Sequence, residues 1–412
     1  MARDAAGRIE RHNRGREPVL MARKYARMKS SPFVFFRGSC HLFHQDWPSG
    51  DKIDHAPAGW LSGDLHLENF GVYKGDDRLV YFDLNDFDEA LLAPCTRELA
   101  RFVTSVLLAG AEAGVSTRRT RELAAGFIDQ YRAALAQGRA GRIEPVTATG
   151  PVRKLLDAAA QRTRVELLDR RTELRKGRRQ IRIDGEHALP ASADERRHAK
   201  LLLRAFTETG LHPPLDAGLT RDYPRGFFRV LDVARRVAGT GSLGVARYVV
   251  LVEGRGSPDR NHLFDLKAAL PSAGVAYTRQ RQPKWPNEAQ RLVGVQRRAQ
   301  AVSPAFLGAA TADGGASFVL RELQPVEDRL DFDRLYANGG ADGGVESALI
   351  AMAHATAWSH LRSSGRQGSA IADEWIAFGR REKWVSRVLE YACDYRKQVE
   401  RDWKAFRKAM LP

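Results

Sequence analysis

The hydrophobic pattern of the first half of the chain predicts two buried strands followed by helices. Residues 33–36 and 79–84 are apolar runs of strand length, and the second run ends in a cluster of acidic residues. Apolar side chains then recur at helical spacing over residues 99–107, and a second helix is expected over about residues 117–136. Residues 1–30 are expected to form a basic helical arm with a solvated charged face, and Tyr25, Met28 and the apolar residues 19–21 are candidates for contacts with the body of the protein.

From residue 227 onward the pattern changes to β-branched and aromatic runs separated by glycine, which is typical of strands joined by turns. These runs predict strands over residues 228–238, 245–253, 262–269 and 317–323. Apolar residues at helical spacing predict helices over residues 288–301, 345–361 and 374–410. The chain therefore has a β-rich segment with helical segments before and after it, which predicts an α+β fold.

The composition predicts a soluble globular protein that prefers anionic partners. Its 412 residues are 43% hydrophobic and 28% charged, and the formal net charge is +16. This charge favours nucleotides, phosphorylated metabolites, nucleic acid or an anionic membrane face. Three widely separated cysteines give neither a disulfide framework nor a metal-type pair. A charged N-terminus, and the lack of an apolar run of about 20 residues, predict a cytoplasmic protein without a membrane span.

Two acidic clusters on either side of the second apolar run carry the candidate chemistry. Asp64 follows a glycine and precedes Asn69 by five residues, and Asp86 lies just beyond the end of the run. In protein kinases an Asp accepts the proton of the acceptor, an Asn binds Mg²⁺, and a later Asp also binds Mg²⁺. Asp64, Asn69 and Asp86 occur in that order and at that spacing. Asp83 and Asp88 are candidates for additional metal ligands.

Loop capping and calcium binding are the alternative roles for these acidic clusters. Asp, Asn and Gly are common turn residues, so either cluster taken alone fits loop capping as well. A calcium loop that starts at Asp83 is excluded, because its fifth position is Phe87 and no glycine follows at the sixth. The spacing of the four histidines between residues 41 and 66 matches no zinc site.

A glycine-rich loop between two predicted strands is the candidate phosphate-binding element. Gly239, Gly241 and Gly244 form a G-x-G-x-x-G pattern that includes Ser242. A dinucleotide-binding fold requires a helix directly after the third glycine, whereas a β-branched run follows here. The pattern therefore predicts a strand–loop–strand hairpin, which in kinases covers the nucleotide phosphates because its backbone can approach the anion closely. An ordinary glycine-rich hairpin is the alternative.

The strand after this hairpin contains a lysine in an otherwise apolar setting. A buried Lys267 needs an anionic partner. Nucleotide phosphates and a helix glutamate would supply it, and Glu288 in the next helix is the candidate, although the helix dipole alone also favours an acid there. The last predicted strand, over residues 317–323, runs into a connector. Its backbone around Glu322 and Leu323 is predicted to meet the edge of an adenine.

A densely basic segment supports a competing hypothesis. Residues 151–182 combine many arginines with a stripe of leucines, and a solvated amphipathic helix is the expected structure. The rival is a face that contacts RNA phosphates, but this segment has no aromatic residues on which bases could stack. Nucleic acid is therefore a less favoured partner than a nucleotide. Arg37 is a candidate for a phosphate contact or for a structural ion pair.

These residues resemble the protein-kinase-like superfamily, and within it the aminoglycoside and choline phosphotransferases. The segment Gly63–Asn69 resembles the catalytic loop of that group, and Asp86–Ala90 with Glu98–Ala100 resembles its metal-binding segment. Ser62 stands where that group has a histidine before the glycine. The whole chain closely resembles an uncharacterised bacterial family, domain of unknown function 2252. The segments that carry this resemblance are Ser31–Phe33, Phe36–Gly38, Phe82–Ala90, Gly239–Gly244, Arg291–Val293 and Gln296–Arg297.

The superfamily resemblance implies ATP- and Mg²⁺-dependent phosphoryl transfer to an unknown hydroxyl acceptor, either a small molecule or a protein. Asp64 and Lys267 are the implied catalytic residues. Kinases place the glycine loop and the lysine before the catalytic loop, whereas here both follow it. If all these residues belong to one site, the fold is a circularly permuted, two-lobed kinase-like fold. A kinase-like nucleotidyltransferase, an inactive pseudokinase and a basic RNA-binding or ribosome-associated module are the alternatives.

The implied domain organisation has four parts. A basic N-terminal arm covers residues 1–30, and a catalytic part that resembles a kinase C-lobe covers residues 31–220. A β-rich nucleotide-binding part that resembles an N-lobe covers residues 221–330. Residues 331–412 form a helical part that completes the C-lobe-like domain.

Overall fold

The structure is a computed structural model that describes residues 4–210, 223–311, 315–323, 329–337 and 343–410. The α-helices within these ranges are α1 (Ala5–His12), α2 (Pro18–Met28), α3 (Pro32–Gly38), α4 (Cys40–Asp46), α5 (Thr96–Glu112), α6 (Thr117–Gln137), α7 (Gly150–Gln161), α8 (Arg164–Arg171), α9 (Ala193–Ala205), α10 (Glu288–Ala299), α11 (Phe332–Tyr336), α12 (Gly344–Arg362), α13 (Ala372–Arg380) and α14 (Val385–Ala409). The strands are β1 (Ala58–Leu61), β2 (Phe70–Lys74), β3 (Val80–Leu84), β4 (Leu91–Pro94), β5 (Thr172–Arg175), β6 (Arg178–Ile181), β7 (Ala188–Pro190), β8 (Val230–Arg236), β9 (Arg247–Val252), β10 (His262–Ala268), β11 (Gly308–Thr311) and β12 (Ser317–Glu322). The predicted mixture of helices and strands is confirmed.

Six strands form one antiparallel sheet in the order β11-β12-β10-β9-β8-β7. Successive side chains of a strand point to opposite faces. In β9, Tyr248, Val250 and Val252 join one hydrophobic cluster, whereas Val249 and Leu251 join another. Because both faces of the sheet are covered at β9, this strand is a continuous apolar run after Arg247, which is why the sequence pattern located it.

The largest hydrophobic core is helical, and it draws on both ends of the chain. It contains buried residues from the N-terminal helices through α7, such as Trp60 and Phe102, together with residues from α12 to α14, such as Trp375. Helix α6 packs against α12 and α13. The strands of the six-stranded sheet, within residues 188–322, therefore lie in the chain between two stretches that share one core. The predicted domain boundary at residues 220–221 lies outside the described residues.

Two predictions of local structure are wrong. Residues 33–36 were predicted as a strand but lie in α3, where the Ser31 side chain accepts a hydrogen bond from the backbone N–H of Val34 and so caps the helix. Residues 151–182 were predicted as one helix but form α7, α8 and the hairpin β5–β6. Short apolar runs and mixed basic segments have no period long enough to distinguish helix from strand.

The N-terminal segment is helical and packs against the body through Leu20, Met21 and Met28, as predicted, but the basic residue Lys24 is buried with them. Helices α1 and α2 contribute Ala5, Ile9 and Met28 to the large helical core, and Lys24 is only 1% exposed. None of the helices in the described ranges is long and apolar enough to span a membrane.

Candidate functional site

The glycine hairpin and the acidic segments line one cleft, which consists of two adjoining cavities. The first cavity has a volume of about 910 Å³ and is lined by Asp64, Glu89 and Gly241 among others. The second has a volume of about 1000 Å³, and Leu323 lies in its wall. The residues that line both cavities are Asn69, Asp86, Asp88, Gly239, Ser242, Lys267 and Arg329. All of these except Arg329 were predicted from the sequence as site residues.

The hairpin β2–β3 brings Asn69 and Asp86 together. Its register pairs Phe70 with Leu84, so the residues just outside the two strands lie side by side. The backbone N–H of Asn85 donates to the Asn69 carbonyl at 2.8 Å. Antiparallel pairing therefore places the amide before β2 beside the carboxylates after β3.

Asp64 is the carboxylate of the first cavity, and it forms an ion pair with Arg101 of α5. The guanidinium Nε of Arg101 donates to Asp64 Oδ1 at 2.6 Å, and the Arg101 side chain is 1% exposed. Burial raises the pKa of Asp64, while the charge of Arg101 opposes this rise. The side-chain amide of Asn69 donates to the Asp64 backbone carbonyl at 2.5 Å. Hydrogen bonds from Asn69 and Arg101 therefore hold both the backbone and the carboxylate of Asp64 in place.

Glu98 supports the loop that carries Asp64. One of its carboxylate oxygens accepts hydrogen bonds from the Ser62 hydroxyl at 2.6 Å, the Ser62 N–H at 2.7 Å and the Gly63 N–H at 3.2 Å. The other oxygen accepts from His360 Nε2 at 2.9 Å, and both side chains are fully buried. Ser62, the residue that departs from the kinase-like pattern, thus holds the loop through its hydroxyl.

Gly63 is required by the loop geometry. Its φ of +84° lies in the left-handed region, which favours glycine. A β-carbon at this position would overlap the backbone carbonyl of Glu89. The segment around Asp64 therefore packs directly on the backbone of the segment that contains Asp86 and Asp88.

Lys267 connects the sheet to the acidic segment. Its ammonium contacts the carboxylate of Asp88, and its side chain is 15% exposed. Burial alone would raise the pKa of Asp86, but the charge of Lys267 and a hydrogen bond from the Asp88 N–H lower it. Burial and the negative charge of Asp86 raise the pKa of Asp88, and Lys267 opposes that rise.

The oxygen ligands shared by the two cavities fit a hard cation such as Mg²⁺. Mg²⁺ is usually bound by one or two carboxylates together with substrate phosphates and water. Asp86 and Asp88 supply two carboxylates, and Asn69 uses its amide nitrogen on Asp64, which leaves its amide oxygen as a ligand. In the described part of the chain no three His, Cys, Asp or Glu residues are grouped to hold a metal by themselves. The arrangement fits a cation whose coordination is completed by a ligand.

The predicted site residues Asp83 and Glu288 line neither cavity. The Asp83 carboxylate accepts hydrogen bonds from Arg362 at 3.0 Å and from the backbone N–H groups of Leu84 and Ala301, so it is a buried structural group. Alternation along β3 explains this, because Asp83 lies within the strand whereas Asp86 lies beyond its end.

The predicted Lys267–Glu288 pair is not formed. The Glu288 carboxylate instead accepts from Arg291 Nε at 2.6 Å, one turn further along α10. Neither cavity is lined by Glu288. The carboxylate partner of Lys267 is Asp88, which follows β3.

The predicted connector contributes to the second cavity through one of its two residues. Leu323 lines this cavity, and its backbone N–H donates to Leu263. The Glu322 carboxylate faces another cluster, where it accepts from His262 Nδ1 at 2.8 Å and also contacts Arg78. Burial alone would raise the pKa of Glu322, but the hydrogen bond from His262 and the charge of Arg78 lower it to about 2. The predicted continuation at residues 324–325 lies outside the described residues.

The second cavity also contains an arginine cluster that the sequence pattern did not reveal. Arg236, Arg247 and Arg321 surround the buried carboxylate of Asp265. Burial alone would raise the pKa of Asp265, but the charges of these arginines lower it. Asp265 and Lys267 are two residues apart in β10 and therefore share a face of the sheet.

The glycine loop joins β8 to β9, as predicted. Gly239 and Gly244 have φ values of +75° and +81°, which glycine adopts without strain. Gly239, Gly241 and Ser242 line the cleft, whereas Gly244 lies outside both cavities, beside Met21 and Arg16.

The N-terminal helices supply cleft residues that were not predicted from the sequence. Lys24 of α2 donates to the carbonyl of Gly241 at 2.8 Å, and Arg16 donates to the same carbonyl at 3.0 Å. Burial and the charge of Arg16 lower the pKa of Lys24 to about 7. The sequence contains a signal for the burial of Lys24, because this residue lies four positions from both Leu20 and Met28, on the apolar stripe of α2.

Together, the fold and the cleft define a mixed α/β protein in which a glycine-rich hairpin and a strand lysine face two carboxylates and an amide. The chain belongs to the family of domain of unknown function 2252, described as an uncharacterised protein conserved in bacteria, whose model matches residues 16–409. Searches of the curated proteins and of the solved structures found no match.

Proposed function

We propose that this protein is an ATP- and Mg²⁺-dependent phosphotransferase with a circularly permuted, two-lobed kinase-like fold. The observation that carries the proposal is the contact between Lys267 and Asp88, which are 179 residues apart in the chain. The glycine hairpin and Asp64, Asn69 and Asp86 line the same cleft. This is the set of groups with which kinases bind a nucleotide triphosphate and position an acceptor.

The order of elements in the sheet supports the proposal. The glycine loop connects β8 and β9, Lys267 lies on the next strand, β10, and helix α10 follows before β11 and β12. In protein kinases a glycine-rich loop covers the phosphates, the lysine lies on the third strand, and a helix follows it. A nucleotide base would occupy the second cavity beside Leu323 and the arginine cluster, with its phosphates among the residues that line both cavities.

Each residue of the cleft has a defined task in this reaction. Asp64, held by Arg101, orients the acceptor hydroxyl and accepts its proton as the oxygen attacks the γ-phosphorus. Lys267 and the backbone of the glycine loop stabilise the negative charge on the phosphates. Asn69, Asp86 and Asp88 would hold Mg²⁺, which supplies further charge neutralisation on the transferred phosphoryl group.

The proposal is tested by single-turnover experiments with ATP labelled at either the γ- or the α-phosphate. Loss of the γ-label from ATP, abolished in Asp86→Ala and retained in the exposed control Asp129→Ala, is the expected result. Transfer of the α-label would instead support the nucleotidyltransferase alternative. Equal rates for the wild type and Asp86→Ala would contradict the role proposed for Asp86. An absence of Mg²⁺–ATP binding in calorimetry would contradict the nucleotide site itself.

Intramolecular ion pairs occupy part of the basic segment, which weighs against the alternative of an RNA-binding module. Arg179 of β6 is buried between Asp169 and Asp259, and Arg175 pairs with Glu173. Steeply salt-dependent RNA binding would support that alternative, because several phosphate contacts would release counterions.

A further inference from the structure

The first cavity contains a buried ammonium group without a carboxylate partner. Lys24 Nζ donates to the Gly241 carbonyl at 2.8 Å and to Asn13 Oδ1 at 3.1 Å. Among the described residues no carboxylate lies within ion-pair distance of it, although the side chain is almost completely buried. An ammonium has three donor protons, so one remains beyond these two bonds. The charges of Glu89 and Asp64 act on this ammonium from beyond ion-pair distance, and a buried charge whose hydrogen-bond acceptors are neutral is costly unless an anion completes the site.

Two arginines extend this positive region. Arg16 donates to the carbonyls of Gly241 at 3.0 Å and Leu243 at 3.4 Å, and it has no carboxylate partner in the described ranges. Arg37 pairs with Glu68 at 2.6 Å through one terminal nitrogen, but its buried Nε has no hydrogen-bond acceptor in the part of the chain that the structure describes. All three basic residues line the first cavity, and none of them lines the second.

The acidic groups on this side of the cleft do not balance the positive charge. The carboxylate of Asp64 is already paired with Arg101. The carboxylate of Glu89 accepts a hydrogen bond from the backbone N–H of Ala273 at 2.6 Å, so it also has a partner of its own. The arginines of the second cavity differ, because Arg236 and Arg247 share the Asp265 carboxylate. The first cavity is distinguished by Lys24 and Arg16, which have no carboxylate partner among the described residues.

Under the proposed function, the phosphates of the donor lie among the residues that line both cavities, next to Lys267. Lys24, Arg16 and Asp64 line the first cavity and not the second. An anion that Lys24 and Arg16 bind while the donor phosphates lie beside Lys267 is additional to those phosphates, and it belongs to the molecule whose hydroxyl faces Asp64.

We propose that the acceptor is an alcohol that already carries a phosphate or carboxylate group, which binds between Lys24, Arg16 and Arg37. This inference rests on the proposed function, because the identity of the molecule as acceptor follows from Asp64. In the reaction a bond forms between the acceptor oxygen and the γ-phosphorus of ATP, and the bond from that phosphorus to the bridging oxygen of ADP breaks. The hydroxyl proton passes to Asp64. The products are ADP and an acceptor that carries two anionic groups.

Binding of small anions to the nucleotide-loaded protein tests the inference. The full chain is saturated with Mg²⁺ and a non-hydrolysable ATP analogue and is then titrated in a calorimeter with inorganic phosphate, acetate or neutral glycerol. We expect one or both anions to bind and glycerol not to bind, and the stronger anion identifies the group on the acceptor. Lys24→Met, which replaces the ammonium with an apolar chain of similar length, and Arg16→Gln are each expected to weaken anion binding at least tenfold.

Two control variants separate the loss of a direct contact with the anion from the loss of a nearby positive charge or of a hydrogen bond to the glycine loop. Arg14→Gln removes an exposed charge from the same N-terminal segment and is expected to leave anion binding unchanged. Arg27→Gln removes a hydrogen bond to the Gly239 carbonyl without changing the charge of the first cavity. If neither anion binds, or if Lys24→Met behaves like either control, the inference is overturned. If the ATP analogue does not bind but phosphate binds in a Lys24-dependent way, the proposed function fails while the anion site stands.

Discussion

The ammonium of Lys267 contacts the carboxylate of Asp88, although 179 residues separate them in the chain. The lysine lies on β10, the strand that follows the glycine hairpin β8–β9, and the aspartate follows the hairpin β2–β3 in the other part of the protein. This contact joins the two halves of the cleft. It also keeps a cation beside the pair of carboxylates that would otherwise repel each other.

Removing the charge of Lys267 is expected to weaken nucleotide binding more than it weakens folding. In Lys267→Met, the affinity for Mg²⁺–ATP should fall about tenfold or more, which corresponds to about 1.4 kcal/mol, because a phosphate contact is lost. The free energy of unfolding should fall by less, because the Asp88 side chain is 37% exposed and water screens part of its repulsion with Asp86. Calorimetric titration measures the affinity. Lys397→Met removes an exposed lysine that pairs with Asp394, and an equal affinity in the two variants would contradict the role of Lys267.

Replacing the carboxylate of Asp64 should remove catalysis and preserve nucleotide binding. Asp64→Asn cannot accept the hydroxyl proton, and general-base catalysis contributes about 10²- to 10⁴-fold. We therefore expect the rate of γ-phosphoryl loss to fall by about that factor, with an unchanged affinity for Mg²⁺–ATP. Asp157→Asn, at an exposed ion pair with Arg153, is the control for the loss of one negative charge. A full rate in Asp64→Asn would show that another group accepts the proton.

Gly63 is expected to tolerate no side chain. Gly63→Ala places a β-carbon on the Glu89 carbonyl at a φ of +84°, and the unusual φ alone costs about 1–3 kcal/mol. Gly114→Ala is the matched control, because Gly114 has a φ of +72° and open space around its α-carbon. The free energy of unfolding, measured in urea, should fall more in Gly63→Ala than in Gly114→Ala. Equal losses would mean that the close packing of the two loops contributes nothing.

The hydrogen bonds around Glu98 are expected to stabilise the loop that carries Asp64. Glu98→Gln would place an amide NH₂ opposite the donors of Ser62, Gly63 or His360. A lost hydrogen bond to a buried charged group costs about 1.5–3 kcal/mol, so the free energy of unfolding should fall by about that amount. Glu122→Gln changes an exposed glutamate that pairs with Arg118 and should have little effect. An unchanged stability in Glu98→Gln would contradict this account of the loop.

The stability of the protein should have opposite pH dependences on the two sides of pH 7. Burial raises the pKa of Glu89 from about 4.5 to about 7, so the folded state binds the proton more tightly and this contribution to stability is lost as pH rises from 4.5 to 7. Burial lowers the pKa of Lys24 from about 10.5 to about 7, so the unfolded state binds more protons between these values and stability rises with pH there.

Urea unfolding of two variants at several pH values separates these contributions. Glu89→Gln should flatten the decrease below pH 7, and Lys24→Met should flatten the increase above pH 7. The charge of Asp64 acts on both groups, whereas Asp88 acts on Glu89 and Arg16 acts on Lys24. An exposed control, Glu390→Gln, is therefore measured in parallel. If the profiles of the two variants match that of the control, the buried groups do not titrate in these ranges.

The sequence located most of the cleft because its signals are local. The glycine pattern followed by a β-branched run identified the hairpin β8–β9, and a lysine in an apolar strand identified Lys267. The spacing of Asp64, Asn69 and Asp86 identified the acidic loops. Each of these signals depends on turn chemistry or on the period of a strand, and both are set by residues close together in the chain.

Other features depended on packing between distant segments. The four apolar residues 33–36 are compatible with a helix or a strand, and contacts with the helical core favour the helix. Asp83 and Glu288 have the residue type that a site needs, but β3 and α10 direct them to Arg362 and Arg291 instead. Sequence spacing does not determine which neighbour a side chain meets across an interface.

The sequence by itself determined the strands β3, β8, β9, β10 and β12, the glycine hairpin and the acidic loops, since alternation, glycine and turn residues act over a few neighbouring positions. Only the tertiary structure decided that Lys267 meets Asp88 and that Lys24 enters the cleft. These contacts arise because the helical core draws on both ends of the chain, while the sheet is formed from the residues between them. Burial of the apolar faces fixes that arrangement, and the polar residues at the edges of those faces are brought together as a consequence.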